Sequence, residues 1–194
     1  AGASGEPVRA AYVYDYMDMT HLDSLASAGF NRTIVRILGD TLRSPLEAWC
    51  LRAPALGIDV VADWLIQSKP RLDASAPSRR YRWGSGSVET DVACPLDSLF
   101  WRRALLDRAE EVLEDAPSVK RLAVDLEFPS GTRRHYDAGP CRCACCLLEY
   151  TGLPGGGSWG RHPRRLSGLL PFEESRVTRI LSGLLSEFAS RHPG

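Results

Sequence analysis

Residues 8–14 form a short run of β-branched and aromatic residues that ends in the polar stretch Asp15-Tyr16-Met17-Asp18, which predicts a strand running into a loop. Thr20 opens a helical pattern with Asp23 three places on, a variant of the capping box. Gly29 followed by Phe30 closes that helix, as expected where glycine takes the left-handed position and an apolar residue packs behind it. A second strand follows over residues 33–38, a second helix over 45–56 ending at Gly57, and a third strand over 58–62 that closes in Asp63-Trp64. A long polar stretch with Pro70, Pro77, Gly84 and Gly86 then leads to a helix over 98–114, with Trp101, Leu105, Ala109 and Val112 near one face. Residues 121–128 alternate, with Leu122, Val124 and Leu126 on one side and Ala123, Asp125 and Glu127 on the other. A last helix over 173–190 carries Val177, Ile180, Leu181, Leu184, Leu185 and Phe188 as its apolar stripe.

Four strand–helix units in succession predict an α/β fold with a parallel sheet and right-handed crossovers. A complete eight-unit barrel takes about 250 residues, so four units correspond to a partial TIM-type (β/α) barrel. Three architectures follow, in order of preference: the N-terminal half of a longer barrel, as a single domain over residues 1–194; a half-barrel that pairs with another chain; or an open α/β sheet. A doubly wound nucleotide domain is disfavoured, because no Gly-x-Gly-x-x-Gly follows the first strand and Gly155-Gly156-Gly157 falls in a late loop suited to a connector.

Composition narrows the partners. Lys plus Arg is 24 and Asp plus Glu is 24, a formal charge of zero, so no excess of cations is available to neutralise phosphates and nucleic acid is excluded as an expected partner. No apolar run approaches the roughly 20 residues needed to cross a bilayer, so no membrane partner is expected. The opening Ala1-Gly2-Ala3-Ser4-Gly5 has no basic and apolar leader pattern, and an extracytoplasmic location follows only if a signal peptide was removed before Ala1.

The six cysteines stand at 50, 94, 141, 143, 145 and 146. Neighbours as close as Cys141-Arg142-Cys143-Ala144-Cys145-Cys146 cannot all reach the geometry of a disulfide. A metal suits them better: zinc takes four thiolate or imidazole ligands, and a tight turn through Cys141, Cys143 and Cys146 can point three sulfurs at one centre. Cys94, followed by Pro95 before the third helix, is the first choice for the fourth ligand, with Cys145 and His135 as alternatives. Cys50, among apolar residues, reads as a buried structural thiol.

The Cys-Pro that opens the third helix, the carboxylate at the end of the fourth strand and the Gly-Pro-Cys-x-Cys-x-x-Cys stretch at 139–146 together resemble the zinc-bearing barrels of glycoside hydrolase family 42 and uncharacterised glycosidase-type barrels. The resemblance covers roughly residues 8–150. It implies a structural zinc held by Cys94, Cys141, Cys143 and Cys146, and an activity on carbohydrate. Where that family has Asn before its fourth-strand acid, this chain has Leu126, and Lys120 and Ala123 depart from the Asp-rich fourth strand of family 18 chitinases. The family 42 nucleophile belongs to a seventh strand, so a family 42-type reaction would need a second barrel half.

Catalytic groups of such barrels gather at the C-terminal ends of the strands. There the sequence offers Asp15 and Asp18, Arg36, Asp63 and Trp64, and Asp125 and Glu127. Asp125 and Glu127 are two apart in a strand, with Cα atoms about 6.5 Å apart, and point the same way. A neighbouring carboxylate raises the pKa of one member of such a pair, as a glycosidic proton donor requires. The same pair also suits a structural role in satisfying loop amides and arginines, and the resemblance favours catalysis. Glu127 is therefore the expected general acid/base, Asp125 its modulator, and Asp15, Arg36, Asp63 and Trp64 the expected substrate-binding residues, with Trp64 best placed to stack on sugar. Trp101 reads as core and Trp83 as part of a solvated loop, while Trp49 and Trp159 take no assignment.

The leading expectation is a glycoside hydrolase-like barrel acting on carbohydrate. The alternative is a non-catalytic, zinc-stabilised half-barrel scaffold that binds carbohydrate or a partner chain, whether a second barrel half or another copy. A redox or metal-delivery role for the cysteine loop is a third and weaker reading.

Overall fold

The computed structural model describes residues 7–14, 16–37, 46–65, 80–82, 88–125, 140–152 and 166–193. The chain forms two compact units, Ala1–Leu65 with Arg108–Leu126, and Ile66–Asp107 with Glu127–Gly194.

In the first unit, strands β1 (Ala10–Tyr14), β2 (Arg32–Ile37) and β3 (Asp59–Leu65) are joined by helix α1 (Thr20–Ser27) and by helix α2 (Leu46–Arg52), which runs into a 3-10 turn over Ala53–Leu56. These strands and a later strand, Leu122–Asp125, form a four-stranded parallel sheet in chain order. That is the expected α/β arrangement, and it is compatible with part of a barrel.

The register gives the sheet two chemically distinct faces. Val13, Thr33, Val35, Ile37, Val60, Ala62 and Trp64 occupy one, and all are buried. Successive residues alternate sides, so the other face carries Tyr12 and Tyr14, Ile34 and Arg36, Val61 and Asp63, and then Ala123 and Asp125. Leu22, Leu46, Trp49, Ala53, Ala109 and Val112 supply the buried positions of the helices. Trp49 thus belongs to the core.

Helix α1 ends as its sequence predicts. Gly29 adopts φ 79°, with Gly29 N–H bonded to Ala26 C=O and Phe30 N–H to Leu25 C=O, each at 3.0 Å, the pair of bonds that defines a Schellman motif. Its start differs from expectation. Asp18 Oδ1 accepts from the Thr20 N–H at 2.9 Å, whereas Asp23 does not reach back to the helix start. Asp23 instead receives Arg52 Nη2 at 2.5 and 2.7 Å, because a full guanidinium charge outcompetes a lone amide for a carboxylate.

The second unit contains an element that the polar stretch concealed, an antiparallel hairpin of β4 (Arg80–Arg82) and β5 (Val88–Ala93). Short strands rich in arginine and acidic residues give little hydrophobic alternation to read. After β5 come α3 (Ser98–Trp101) and a π-helical segment over Arg102–Asp107, followed in the first unit by α4 (Arg108–Asp115) and β6 (Leu122–Asp125). The π turn explains a one-residue error in the expected stripe. Trp101 is buried as expected, but the next buried position is Leu106 rather than Leu105, since an i→i+5 turn inserts one residue into the helical repeat.

The second unit ends with α5 (Ala144–Thr151) and α6 (Leu169–Arg191). Helix α6 begins four residues before the expected start at 173. Pro171 falls in its first turn, where the missing N–H would have no intrahelical acceptor. Of the expected stripe Leu184 is buried, Leu169 and Glu173 are the other buried positions of α6, and Leu185 is 64% exposed. No helix among the described residues is long and apolar enough to cross a membrane.

Candidate functional site

Two clusters carry chemistry, one in each unit. In the second unit, Cys94 directly follows β5 in a turn closed by Asp97 N–H to Cys94 C=O at 2.9 Å. Asp97 caps α3, accepting from the Leu99 and Phe100 amides, and Trp101 Nε1 donates to Pro95 C=O at 2.8 Å. The Cys-Pro-Leu-Asp segment is therefore held on both sides. Cys143 is the N-cap of α5, its sulfur accepting from the Cys146 N–H at 3.4 Å. The spacing between these two cysteines is that of an N-cap and the third helical residue, whose side chains meet at a helix start.

These elements bring Cys94, Cys141, Cys143 and Cys146 together with all four sulfurs within 4.8 Å of one another. Cys94 and Cys146 sulfurs are 3.2 Å apart and those of Cys94 and Cys143 3.6 Å, too long for a disulfide and near the edge of roughly 3.8 Å of a tetrahedron with 2.3 Å metal–sulfur bonds. All six cysteines are free. The four sulfurs can therefore hold one metal ion. Cys145 lies outside the set, and His135 lies outside the described residues.

Three of the four cysteines are buried and Cys143 is half-buried. Tyr81 and Leu96 are buried with the cluster, and Phe172 and Val177 of α6 pack on it. Hydrogen bonds from Cys141, Cys146 and Cys94 hold the Cys143 thiol well below its ordinary range, while the same network drives Cys94 and Cys146 upward. One thiolate is thus favoured at the expense of its neighbours. Full ionisation of the set requires a cation at its centre, since like charges this close oppose one another. Glu173, 4% exposed, accepts from the Cys141 N–H at 3.1 Å. Its other oxygen has no hydrogen-bond partner, and burial pushes the carboxyl up to about 7. Sequence reasoning missed Glu173. Its only signal was an acid at a position in helical register with Leu169, Phe172 and Val177.

In the first unit, Arg36 near the end of β2 joins two carboxylates from other strands. Its Nη2 donates to Asp125 Oδ2 at 2.8 Å, and its Nε lies 2.7 Å from Asp63 Oδ2 as an ion pair without a well-aligned hydrogen bond. The side chains are 16%, 35% and 3% exposed for Arg36, Asp125 and Asp63. Burial raises the Asp63 carboxyl, Arg36 opposes that rise and the Asp125 charge adds to it. Burial also works against the Arg36 charge, yet Asp125 and Asp63 together hold its pKa above the ordinary value. The Tyr12 ring completes the cluster, its centroid 5.7 Å from the Arg36 guanidinium carbon.

Of the residues expected at the strand ends, the fold thus brings together Arg36, Asp63 and Asp125. Trp64 is placed elsewhere. It shares the buried face of the sheet with Ile37 and Val124 and is 6% exposed, because it follows Asp63 and the pleat turns it away. Asp18 caps α1. Asp15 and Glu127 lie outside the described residues. A cavity of about 460 Å³ lies at the opposite end of β3, with Cys50, Pro54, Asp59, Ser118 and Lys120 among its walls. Burial pushes the Cys50 thiol there up to about 11, with the Glu47 charge adding, as suits an inert structural thiol.

The chain matches no protein-family model, no curated protein and no solved structure.

Proposed function

We propose that this chain is a glycoside hydrolase-like α/β unit that acts on carbohydrate at the C-terminal end of its parallel sheet, and that its four cysteines hold a structural zinc. The observation that carries the first part is the Asp63–Arg36–Asp125 cluster, built from three strands at the end of the sheet where parallel α/β folds bind their ligands. In this reading Glu127 is the proton donor to the glycosidic oxygen. Asp125, neutralised on one side by Arg36, tunes it, and Asp63 holds Arg36 in place. The zinc part rests on the donor set: four thiolates fill a tetrahedron and leave no position for water, which suits folding rather than bond cleavage.

Glu127→Gln tests the catalytic part, in a preparation that includes any second barrel half the reaction requires. The variant is expected to lose at least 100-fold in rate on glycosides with poor leaving groups and to retain activity on those whose leaving group needs no proton. Wild-type rates on both substrate types would remove the acid assignment.

A second reading has its own support. Among the described residues, β1 and β6 end the sheet without a further strand, and open edges are sites for pairing with another chain. A zinc-stabilised scaffold completed by a partner strand, from a second barrel half or a second copy, is then the function. Self-association in light scattering combined with no hydrolysis favours it.

A further inference from the structure

We infer that Tyr14 and Tyr16 form a stacking platform for a sugar ring beside the Arg36–Asp125 pair. The inference rests on the carbohydrate reading and assigns it an aromatic subsite that the sequence pattern placed on Trp64. Tyr14 ends β1 and stands in register with Arg36 of β2, which in turn stands in register with Asp63 of β3. All three therefore leave the same face of the sheet at the same end. Tyr12, two residues earlier on that face, lies against the Arg36 guanidinium.

The exposure pattern is the independent observation. Tyr12, Tyr14 and Tyr16 are 64%, 43% and 66% exposed, and among the described residues they are the exposed aromatics. Trp49, Trp64, Tyr81, Phe100 and Trp101 are all buried. Three large rings left in water within one short run, beside a polar cluster, mark a binding surface more often than chance exposure does. Their geometry specifies the ligand further. The Tyr14 and Tyr16 rings are parallel, 3° between planes with centroids 5.4 Å apart, and so present no perpendicular walls of the kind that enclose a quaternary ammonium.

Charge and hydrogen-bonding capacity narrow the class. One arginine and two aspartates give the cluster a net charge of −1, which disfavours a phosphorylated or otherwise anionic ligand. A neutral sugar fits: its apolar C–H face covers the outer face of the stacked pair, and its hydroxyls can bond the guanidinium fork of Arg36 and the part-exposed carboxylate of Asp125. Stacking on an aromatic ring with polar groups at its rim also fixes the orientation of the sugar ring, as bond cleavage at a defined position requires.

The test is saturation-transfer difference NMR and calorimetry on the metal-loaded chain, with cellohexaose, xylohexaose and mannohexaose as probes and tetramethylammonium as a cation probe. At least one hexasaccharide is expected to bind, with saturation strongest on axial C–H protons. The double variant Tyr14→Ala/Tyr16→Ala should weaken that binding at least 10-fold, and Tyr14→Phe/Tyr16→Phe should stay within about 2-fold. Both positions are exposed, and circular dichroism of each variant against wild type reports whether the fold is kept. Unchanged affinity in the alanine variant overturns the platform and leaves the carbohydrate reading standing. Hydrolysis that depends on Glu127, without hexasaccharide binding at these tyrosines, does the same. Preference for tetramethylammonium overturns the platform by showing a cation site. Neither hexasaccharide binding nor hydrolysis overturns the platform and the carbohydrate reading together.

Discussion

Cys143 caps the helix that carries Cys146: its sulfur accepts the Cys146 N–H at 3.4 Å, so one member of the metal set fixes the position of another through a backbone bond. The cap and a candidate metal ligand are therefore the same atom. An anionic sulfur at a helix N-terminus gains from the helix dipole as well as from the amide, and this agrees with the depressed pKa of Cys143.

That double role can be separated by substitution. Cys143→Ser keeps an oxygen able to cap α5 and removes the thiolate, whereas Cys143→Ala removes both. Metal affinity should fall at least 100-fold in each, measured by competition with a chromophoric chelator, and the alanine variant should be further destabilised by about 1 kcal/mol. Cobalt loaded into wild type should give the visible spectrum of a tetrahedral thiolate site. Chelation of the wild-type metal should lower Tm by more than about 10 °C, since loss of a structural site removes several kcal/mol of folding energy. Full retention of Tm after verified metal removal would contradict a structural role.

The cysteine set was legible because chemistry and spacing coincide: Cys141, Cys143 and Cys146 stand within one turn and a helix start, and Cys94-Pro95 precedes a helix. The parallel strands were legible for a similar reason. Val35, Ile37, Val60 and Ala62 face a buried side and recur at period two between helices closed by Gly29 and Gly57. What failed had no local signature. The strands of the β4–β5 hairpin are short and interleaved with charged residues, the π turn at Arg102–Asp107 shifts a stripe without marking the sequence, and Glu173 is an acid buried only because the fold turns it onto Cys141. Trp64 was misplaced by one residue of pleat. Adjacent positions in a strand face opposite sides, so Asp63 and Trp64 could not both reach the strand-end cluster.

Arg36 should be the least replaceable member of that cluster. Arg36→Met leaves Asp63 buried without a cation, a defect of about 3 kcal/mol. Asp125→Asn, at a part-exposed position, should cost about 1 kcal/mol or less. Asp63→Asn should partly rescue Arg36→Met, because it removes the stranded charge. Urea unfolding of the single and double variants reads the coupling. Strict additivity of Arg36→Met and Asp63→Asn would show that the ion pair contributes nothing.

Acid should reveal the cap at the start of α1. The Asp18 carboxyl is held below its ordinary value by hydrogen bonds from Thr20. A depressed folded pKa means that its contribution is present above the unfolded value of 3.8 and disappears as pH falls through the lower folded value. Asp18→Ala should therefore lower Tm at neutral pH, and the gap to wild type should close as pH falls through the lowered folded value. A gap that persists unchanged into strong acid would assign the loss to something other than the ionised cap.

Glu173 offers the sharpest separation between a hydrogen bond and a charge at the metal cluster. Its carboxylate accepts the Cys141 N–H, yet its other oxygen has no partner and the residue is 4% exposed. The amide bond favours an acceptor there, while burial beside thiolates disfavours a negative one. Glu173→Gln keeps an acceptor of nearly the same shape and discards the ionisable group, so it should leave stability unchanged or raise it. Glu173→Leu strands the Cys141 N–H and should cost about 1–3 kcal/mol. It should also speed metal release to a chelator, because Cys141 loses the bond that orients its backbone. Metal-loaded protein at one fixed pH gives both readouts, Tm and the release rate. If the glutamine variant releases metal as fast as the leucine variant, the charge of Glu173 rather than its acceptor oxygen holds the site together.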